Sequence, residues 1–294
     1  MQEVYRVFLF QYVALFEPSA KFLQSFFRNA SGSVVIITFF TAWIVCWVPL
    51  LAPLALIFKW QPSQPLPPEQ KLPLLASLYL LAPLVLWGSS WLTNTPFSDY
   101  GFFGNISILY SCVLGCTLGV LSIAVVFSWQ LWLEWCSFQK SNLKLLQPIL
   151  LPIFLVALFV GGIEELVFRG FLFTELDNDY PVWVAAVISS LIFAFLHLIW
   201  EQQETIPQLP GLWLMGMVLV LARFINEGSI GLAWGLHAGW VWAIACLDTA
   251  QLIEYTEKVP EWVTGKNRKP LAGVVGIACL VLAGGVLLLG SGYF

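Results

Sequence analysis

Long apolar stretches alternate with short polar ones along almost the whole chain. A helix needs about 20 mostly apolar residues to cross a bilayer. Eight stretches meet or approach that length: 34–58, 73–92, 107–133, 148–173, 182–200, 211–226, 230–248 and 271–290. The pattern predicts an all-α polytopic membrane protein, a bundle of about eight transmembrane helices that forms a single multi-span membrane domain over residues 34–290.

Residues 1–33 form a separate N-terminal segment ahead of the first predicted span. Glu3 lies close to the start, the apolar run is broken, and no small-residue cleavage site follows. The segment therefore does not resemble a cleaved signal peptide. Residues 4–16 instead predict an amphipathic helix that lies in the membrane interface.

Composition and charge agree with a membrane-embedded chain. Hydrophobic residues make up 59% of the sequence and charged residues 10%, whereas soluble domains carry about 25% charged residues. Membrane lipid is therefore an expected partner. The net charge of -4 argues against nucleic acid as a partner.

The basic residues of the loops predict the orientation of the bundle, because cytoplasmic loops carry an excess of Lys and Arg. One side of the eight alternating spans receives only Arg6, Lys21 and Arg28. The other side receives eight basic residues: Lys59, Lys71, Lys140, Lys144, Lys258, Lys266, Arg268 and Lys269. The second side is the predicted cytoplasmic one, and both termini are predicted on the opposite side.

Ionisable residues lie inside several of the predicted spans. The fourth span contains Glu164, Glu165 and Arg169, and the only two histidines, His197 and His237, lie in the fifth and seventh. Ionisable groups are costly in hydrocarbon and mark polar sites shared between helices. We therefore expect a polar site inside the bundle, with the composition of a hydrolytic centre.

The spacing of these residues suggests different tasks for them. Glu165 and Arg169 are four residues apart and can pair on one helical face. Glu164 points about 100° away and remains available as a general base. Imidazole can orient water, accept a proton or bind a metal. Counted at about 1.5 Å per residue from the predicted non-cytoplasmic boundaries, Glu164, His197 and His237 lie at unequal depths of about 14, 22 and 10 Å.

Two further polar features fall near span ends. Arg223 closes the short sixth span and is expected at a membrane interface. The acidic stretch with Glu175, Asp177 and Asp179 follows the fourth span and is expected to be a solvated turn.

The charged residues form a recognisable set of three motifs in order on successive apolar helices. The motifs are Glu164-Glu165-x-x-x-Arg169, Phe193-x-x-x-His197, and His237 four residues before Val241. This arrangement, over a motif-bearing core of about residues 145–250, resembles the signature of the CAAX prenyl protease and bacteriocin-processing family of intramembrane glutamate proteases.

The resemblance implies a role for each residue. Glu164 would activate a water molecule, and His197 would hold or deprotonate that water. Glu165 and Arg169 would shape the site, and His237 would stabilise the developing oxyanion. The implied activity is that of an intramembrane endopeptidase, a hydrolase that cuts a peptide or membrane-protein substrate near the membrane surface.

The chain departs from the family pattern at Val241. Many members carry Asn or Asp there to assist the oxyanion, and valine donates no hydrogen bond. Loss of one oxyanion donor lowers the rate by about 10²–10³-fold. The alternative hypothesis is therefore a catalytically weakened or inactive family member, a scaffold or assembly factor in a membrane-protein complex. A transporter is a third hypothesis, but no inverted repeat is evident.

A metal site is a further alternative for the same residues. Glu164, His197 and His237 are ligand types that zinc accepts, with a fourth position left for water. The HExxH spacing on one helix is absent, so three separate spans would have to hold the ion. Zinc is thus a possible cofactor, no cofactor is firmly implied, and metal-free activation of water is slightly favoured.

Overall fold

The computed structural model describes residues 17–60, 67–199 and 202–290, and this part of the chain is almost entirely helical. The principal elements are α1 (17–28), α2 (Gly32–Phe58), α3 (Pro68–Thr93), α4 (Ile106–Trp132), β1 (Cys136–Phe138), α5 (Leu143–Glu164), a π-helical segment (Glu165–Leu172), α6 (Phe173–Asp179), α7 (Val182–Leu196), α8 (Gln202–Thr205), α9 (Leu209–Ile225), α10 (Gly231–Thr249), β2 (Ile253–Tyr255), α11 (Glu261–Thr264) and α12 (Val274–Gly290). The predicted interfacial helix at 4–16 lies outside the described residues, and it and the domain boundary at residue 33 remain predictions.

The prediction of an all-α multi-span membrane protein is confirmed. Within the described residues, six helical segments are long and apolar enough to cross a membrane: Gly32–Phe58, Gln70–Thr93, Ile106–Trp132, Lys140–Asp179, Val182–Ile199 and Gln202–Ile225. The other two predicted spans correspond to α10, with 19 residues, and α12, with 17 residues.

The fourth predicted span is longer than the sequence suggested. The helical segment runs over 40 residues from Lys140 to Asp179 because the chain continues from α5 through the π-helical segment into α6. The predicted end at residue 173 was wrong, and so was the solvated turn at Glu175. Glu175 is buried and accepts a hydrogen bond from the Tyr100 hydroxyl at 3.2 Å.

Helix α10 packs at very short range against α4 along a seam of glycines, Gly115 and Gly119 on α4 and Gly235 and Gly239 on α10. A Cβ atom added to Gly235 would lie 2.0 Å from the carbonyl oxygen of Cys112. Small residues spaced four apart let helix backbones approach closely in membranes, where van der Waals packing drives association. The seam places α10 beside α4, and its other side faces α5.

Helices α2 and α3 form the opposite wall of the bundle. The indole N–H of Trp43 on α2 donates to the carbonyl of Leu78 on α3 at 2.9 Å. The ring of Phe39 packs against Phe171 of the π-helical segment with centroids 4.4 Å apart. The π-helical segment therefore lies between α2 and the rest of the bundle.

The two strands β1 and β2 pair antiparallel, with Cys136 opposite Tyr255, beyond the ends of α4 and α10.

Candidate active site

The polar site is built around the junction of α5 and the π-helical segment. Glu164 is the last residue of α5, and every residue of the segment from Glu165 to Leu172 is buried. Single turns of π-helix are rare and often lie at functional sites. Within this segment Arg169 Nη1 donates to Glu165 Oε1 at 3.0 Å, so the ion pair expected from their spacing is present and fully buried.

His237 joins the two neighbouring carboxylates. Its Nδ1 lies 2.7 Å from Glu165 Oε1, and its Nε2 lies 3.5 Å from Glu164 Oε2. His237 therefore lies between the two carboxylates and links Glu164 to the buried ion pair of Glu165 and Arg169.

Glu164 and His197 line the same cavity, which has a volume of 150 Å³. His197 Nδ1 lies 2.8 Å from the carbonyl oxygen of Phe193. Because a carbonyl only accepts, Nδ1 carries the proton and Nε2 remains an acceptor in the neutral ring. Apart from Tyr79, the remaining lining is apolar or indole: Phe40, Trp43, Ile44, Trp47, Leu78, Ile163, Val167, Phe168, Leu196 and Ile199.

The ring of Phe193 is a common contact of the charged residues. The guanidinium carbon of Arg169 lies 4.1 Å from its centroid. The rings of His197 and His237 meet it edge-on, with centroid distances of 4.6 and 6.0 Å. Phe193 is completely buried, so it fixes the guanidinium and both imidazoles relative to one another.

The buried charges are incompletely satisfied by the described part of the protein. Glu165 Oε2 and Arg169 Nη2 are buried and have no hydrogen-bond partner there. A buried polar atom without a partner costs about 1–3 kcal/mol, and a buried ion pair is weak evidence for stability even when fully satisfied. A purely structural role therefore explains this cluster poorly.

His237 and Val241 occupy different surroundings from the cavity of Glu164 and His197. His237 is 3% exposed and lies behind Glu164, outside the residues that line the cavity. Val241 lines a separate cavity of 330 Å³, together with Trp240, Met215 and Lys269. The structure thus joins Glu164 to His197 through the cavity and to His237 by direct contact, and it places Val241 elsewhere.

The proposed zinc ligands do not form a metal site in this arrangement. Among the described residues, no group of three His, Cys, Asp or Glu side chains is placed to hold a metal ion. Both nitrogens of His237 already face carboxylates, and Nδ1 of His197 faces a carbonyl. The donor set therefore does not fit a bound ion.

Two functional candidates, Tyr79 and Arg223, were missed or misplaced by the sequence. The hydroxyl of Tyr79, in the middle of α3, donates to Glu164 Oε1. The only sequence feature that pointed to Tyr79 was a phenol side chain in a leucine-rich predicted span. Arg223 is not at an interface but buried, and its guanidinium donates to the carbonyls of Arg169 and Gly170 in the π-helical segment. Arg223 thereby satisfies carbonyl groups of the distorted helix.

The unequal depths expected for the three site residues are explained by the true helix ends. Measured from Asp179 rather than residue 173, Glu164 lies about 22 Å deep at 1.5 Å per residue, which matches the depth expected for His197. His237 Nε2 lies 3.5 Å from Glu164 Oε2, so these two side chains meet at one level of the bundle.

Comparison with known proteins adds one finding to this geometry. The sequence family described as Type II CAAX prenyl endopeptidase Rce1-like matches residues 146–243, about one third of the chain, and this range includes all three motifs. No curated protein and no solved structure matches the chain. The resemblance to the CAAX prenyl protease family is therefore confirmed over residues 146–243, the part of this membrane protein that carries the three motifs.

Proposed function

We propose that this protein is an intramembrane endopeptidase that hydrolyses a peptide bond with a water molecule activated by Glu164. The observation that carries the proposal is that Glu164 and His197 line one cavity inside the bundle. A base and an acceptor that line one small cavity can hold one water between them. The family match at residues 146–243 supports the same reaction class.

The reaction would proceed without a metal ion. His197 Nε2 accepts a hydrogen bond from the water, and Glu164 removes a proton from it. The resulting hydroxide adds to the peptide carbonyl carbon and forms a tetrahedral oxyanion. The proton on Glu164 then passes to the leaving nitrogen as the C–N bond breaks, which restores the carboxylate. His237, paired with Glu165 at 2.7 Å, holds Glu164 in place.

The walls of the cavity favour a substrate with an apolar or lipid-modified segment. Ile44 and Ile199 line the cavity and are also 57% and 54% exposed on the outer surface of the bundle. A substrate group in the bilayer can therefore reach the site from the side. With the orientation predicted from the basic loops, the end of the bundle that carries β1 and β2 would face the cytoplasm.

The rival role as a non-catalytic scaffold rests on Val241 alone. Val241 does not line the cavity of Glu164 and His197, so its lack of a donor group does not by itself disable that cavity. The unsatisfied atoms of Glu165 and Arg169 also favour chemistry over simple helix association.

The test is Glu164→Gln in the full chain, purified in lipid nanodiscs and supplied with a farnesylated CAAX peptide and its unprenylated counterpart. We expect cleavage by the wild type and its loss in the variant, because an amide cannot take a proton from water. Glu261→Gln, at an exposed carboxylate remote from the cavity, is the matched control and should retain full activity. Undiminished cleavage by Glu164→Gln, or wild-type protein that cleaves neither peptide, would contradict the proposal.

A further inference from the structure

The proposed reaction creates a negative oxygen in the cavity, and that oxyanion requires a hydrogen-bond donor. An isolated negative charge in such surroundings is costly, and a single well-placed donor changes the rate of acyl transfer by about 10²–10³-fold. The two groups that the family pattern implies for this task lie elsewhere. Val241 lines another cavity, and His237 is buried behind Glu164.

The donors on the cavity wall can be compared one by one. The indole N–H of Trp43 donates to the Leu78 carbonyl at 2.9 Å, and that of Trp47 donates to Ser77 Oγ at 2.9 Å. The N–H of His197 faces the Phe193 carbonyl at 2.8 Å. Among the described residues that line the cavity, one O–H group remains, that of Tyr79.

We propose that Tyr79 is a catalytic residue of this protein, whose phenol donates a hydrogen bond to the oxyanion of the tetrahedral intermediate. This inference rests on the proposed endopeptidase function. In the resting protein the same hydroxyl donates to Glu164 Oε1, the carboxylate that removes the proton from water. The donor therefore stands beside the point where the new negative charge forms.

The contact with Glu164 releases the Tyr79 hydroxyl at the step in which the oxyanion forms. The carboxylate of Glu164 binds the phenol O–H strongly while it is charged, because hydrogen bonds to ionised acceptors are the stronger ones. When Glu164 takes the proton of water, its charge disappears and the negative charge moves to the substrate oxygen. The hydrogen bond of Tyr79 then moves from Glu164 to that oxygen, and no proton leaves the phenol. After the leaving nitrogen takes the proton, Glu164 is charged again and recovers the phenol.

A purely structural Tyr79 would behave differently. A phenol that only holds the Glu164 side chain would affect the position of the base and the fold, and isosteric changes in its acidity would have no consequence. A phenol that donates to the oxyanion acts only in the transition state, so its loss lowers kcat and leaves KM unchanged.

The first experiment is Tyr79→Phe in lipid nanodiscs with the farnesylated CAAX peptide as the probe. We expect kcat to fall by about 10²–10³-fold with KM unchanged. Tyr110→Phe, at a tyrosine of α4 that is 70% exposed, is the matched control and should keep the wild-type kcat. A Tyr79→Phe variant with wild-type kcat, or with only KM raised, would overturn the inference.

The second experiment keeps the shape of the side chain and therefore does not depend on the folding of Tyr79→Phe. Site-specific Tyr79→3,5-difluorotyrosine makes the phenol more acidic and therefore a stronger hydrogen-bond donor while it stays protonated. We expect kcat at neutral pH to change with KM unchanged, whereas the same replacement of Tyr110 leaves both at the wild-type values. A wild-type kcat in the Tyr79 variant would overturn the inference.

The two proposals fail in distinguishable ways. If Glu164→Gln abolishes cleavage and both Tyr79 variants behave as the wild type, the endopeptidase function stands and the role of Tyr79 is wrong. If the wild type cleaves neither peptide, or if Glu164→Gln cleaves normally, the endopeptidase mechanism is wrong and the role of Tyr79 is wrong with it.

Discussion

Helix α10 has two faces that are held in opposite ways. One face carries Gly235 and Gly239 against the backbone of α4, where an added Cβ atom would lie 2.0 and 2.5 Å from carbonyl oxygens. The other carries His237 against the carboxylates of Glu164 and Glu165, at 3.5 and 2.7 Å. The first contact is a dry seam of backbone on backbone, and the second is a cluster of ionisable groups.

The comparison distinguishes contacts that stabilise the bundle from side chains that the bundle positions for a reaction. The glycine seam gains van der Waals contact between the backbones of α4 and α10. The cluster leaves Glu165 Oε2 and Arg169 Nη2 without partners among the described residues. Natural proteins depart from good packing and satisfied polar groups mainly at functional sites. We infer that the seam supplies stability and that the cluster is kept for chemistry.

The stability of the protein should be more sensitive to a small change in the glycine seam than to one in the charged cluster. In Gly235→Ala the new Cβ atom would lie 2.0 Å from the Cys112 carbonyl oxygen, a backbone atom that no side-chain rotation can move. Helices α4 and α10 must then separate along the seam. We expect a loss of at least about 3 kcal/mol, the upper end of ordinary overpacking, measured as the free energy of unfolding in mixed micelles, together with loss of cleavage.

Gly88→Ala is the matched control for this change. Gly88 lies in α3, and a Cβ atom there would have no neighbour within 4 Å. Alanine is the better helix former by about 1 kcal/mol, so this variant should be as stable as the wild type or slightly more so. Equal stability of Gly235→Ala and Gly88→Ala would show that α4 and α10 are not closely packed at the seam.

The charged cluster should behave as one coupled unit. Removing one partner of a buried ion pair leaves the other uncompensated, so Glu165→Gln and Arg169→Met should each destabilise the protein. In the double variant no guanidinium is left unpaired, and the amide can still accept from His237. We expect it to be more stable than the sum of the single effects by about 1–3 kcal/mol, while cleavage remains strongly reduced.

This double-mutant cycle also tests the division between stability and chemistry. Stability is read from unfolding in mixed micelles, and activity from cleavage of the farnesylated CAAX peptide. Additive losses of stability would mean that Glu165 and Arg169, 3.0 Å apart, do not interact. Full activity in a stable double variant would mean that the cluster is not required for the reaction.

Much of the fold could be predicted from sequence because its signals are periodic or local. The eight apolar stretches gave the helices, since hydrocarbon leaves a helix few alternatives. The spacing of Glu165 and Arg169 gave their ion pair, because residues four apart on a helix are neighbours. The family motifs identified the segments that surround the polar site.

The remaining features depend on contacts between distant segments. The π-helical segment has no signature of its own in sequence, because its distortion is satisfied by Arg223, 54 residues beyond Arg169. Tyr79 approaches Glu164 across 85 residues of sequence, and a tyrosine in an apolar helix otherwise resembles an interfacial anchor. The exact end of the fourth span was missed for the same reason, since the buried Glu175 depends on the Tyr100 hydroxyl.

An exposed ion pair outside the membrane-spanning helices should contribute least to stability among the contacts compared. Lys258 Nζ pairs with Glu134 Oε2, and the two side chains are 52% and 73% exposed. The hydrogen bond from Lys258 and its charge lower the pKa of Glu134 below its ordinary value near 4.5. A lowered pKa in the folded state means that the pair stabilises the protein above that ordinary value. The contribution is lost as the pH falls through the lowered pKa.

We therefore expect Glu134→Gln to reduce the thermal midpoint slightly at neutral pH and not at all in acid, because solvent and salt screen exposed pairs. The measurement is the midpoint in nanodiscs from neutral to acidic pH, at low and high salt. Glu257→Gln, at an exposed carboxylate near Lys258 in sequence, is the control. A difference that grows as the pH falls, or that persists at high salt, would mean that this pair behaves like the buried Glu165–Arg169 pair rather than like a solvated one.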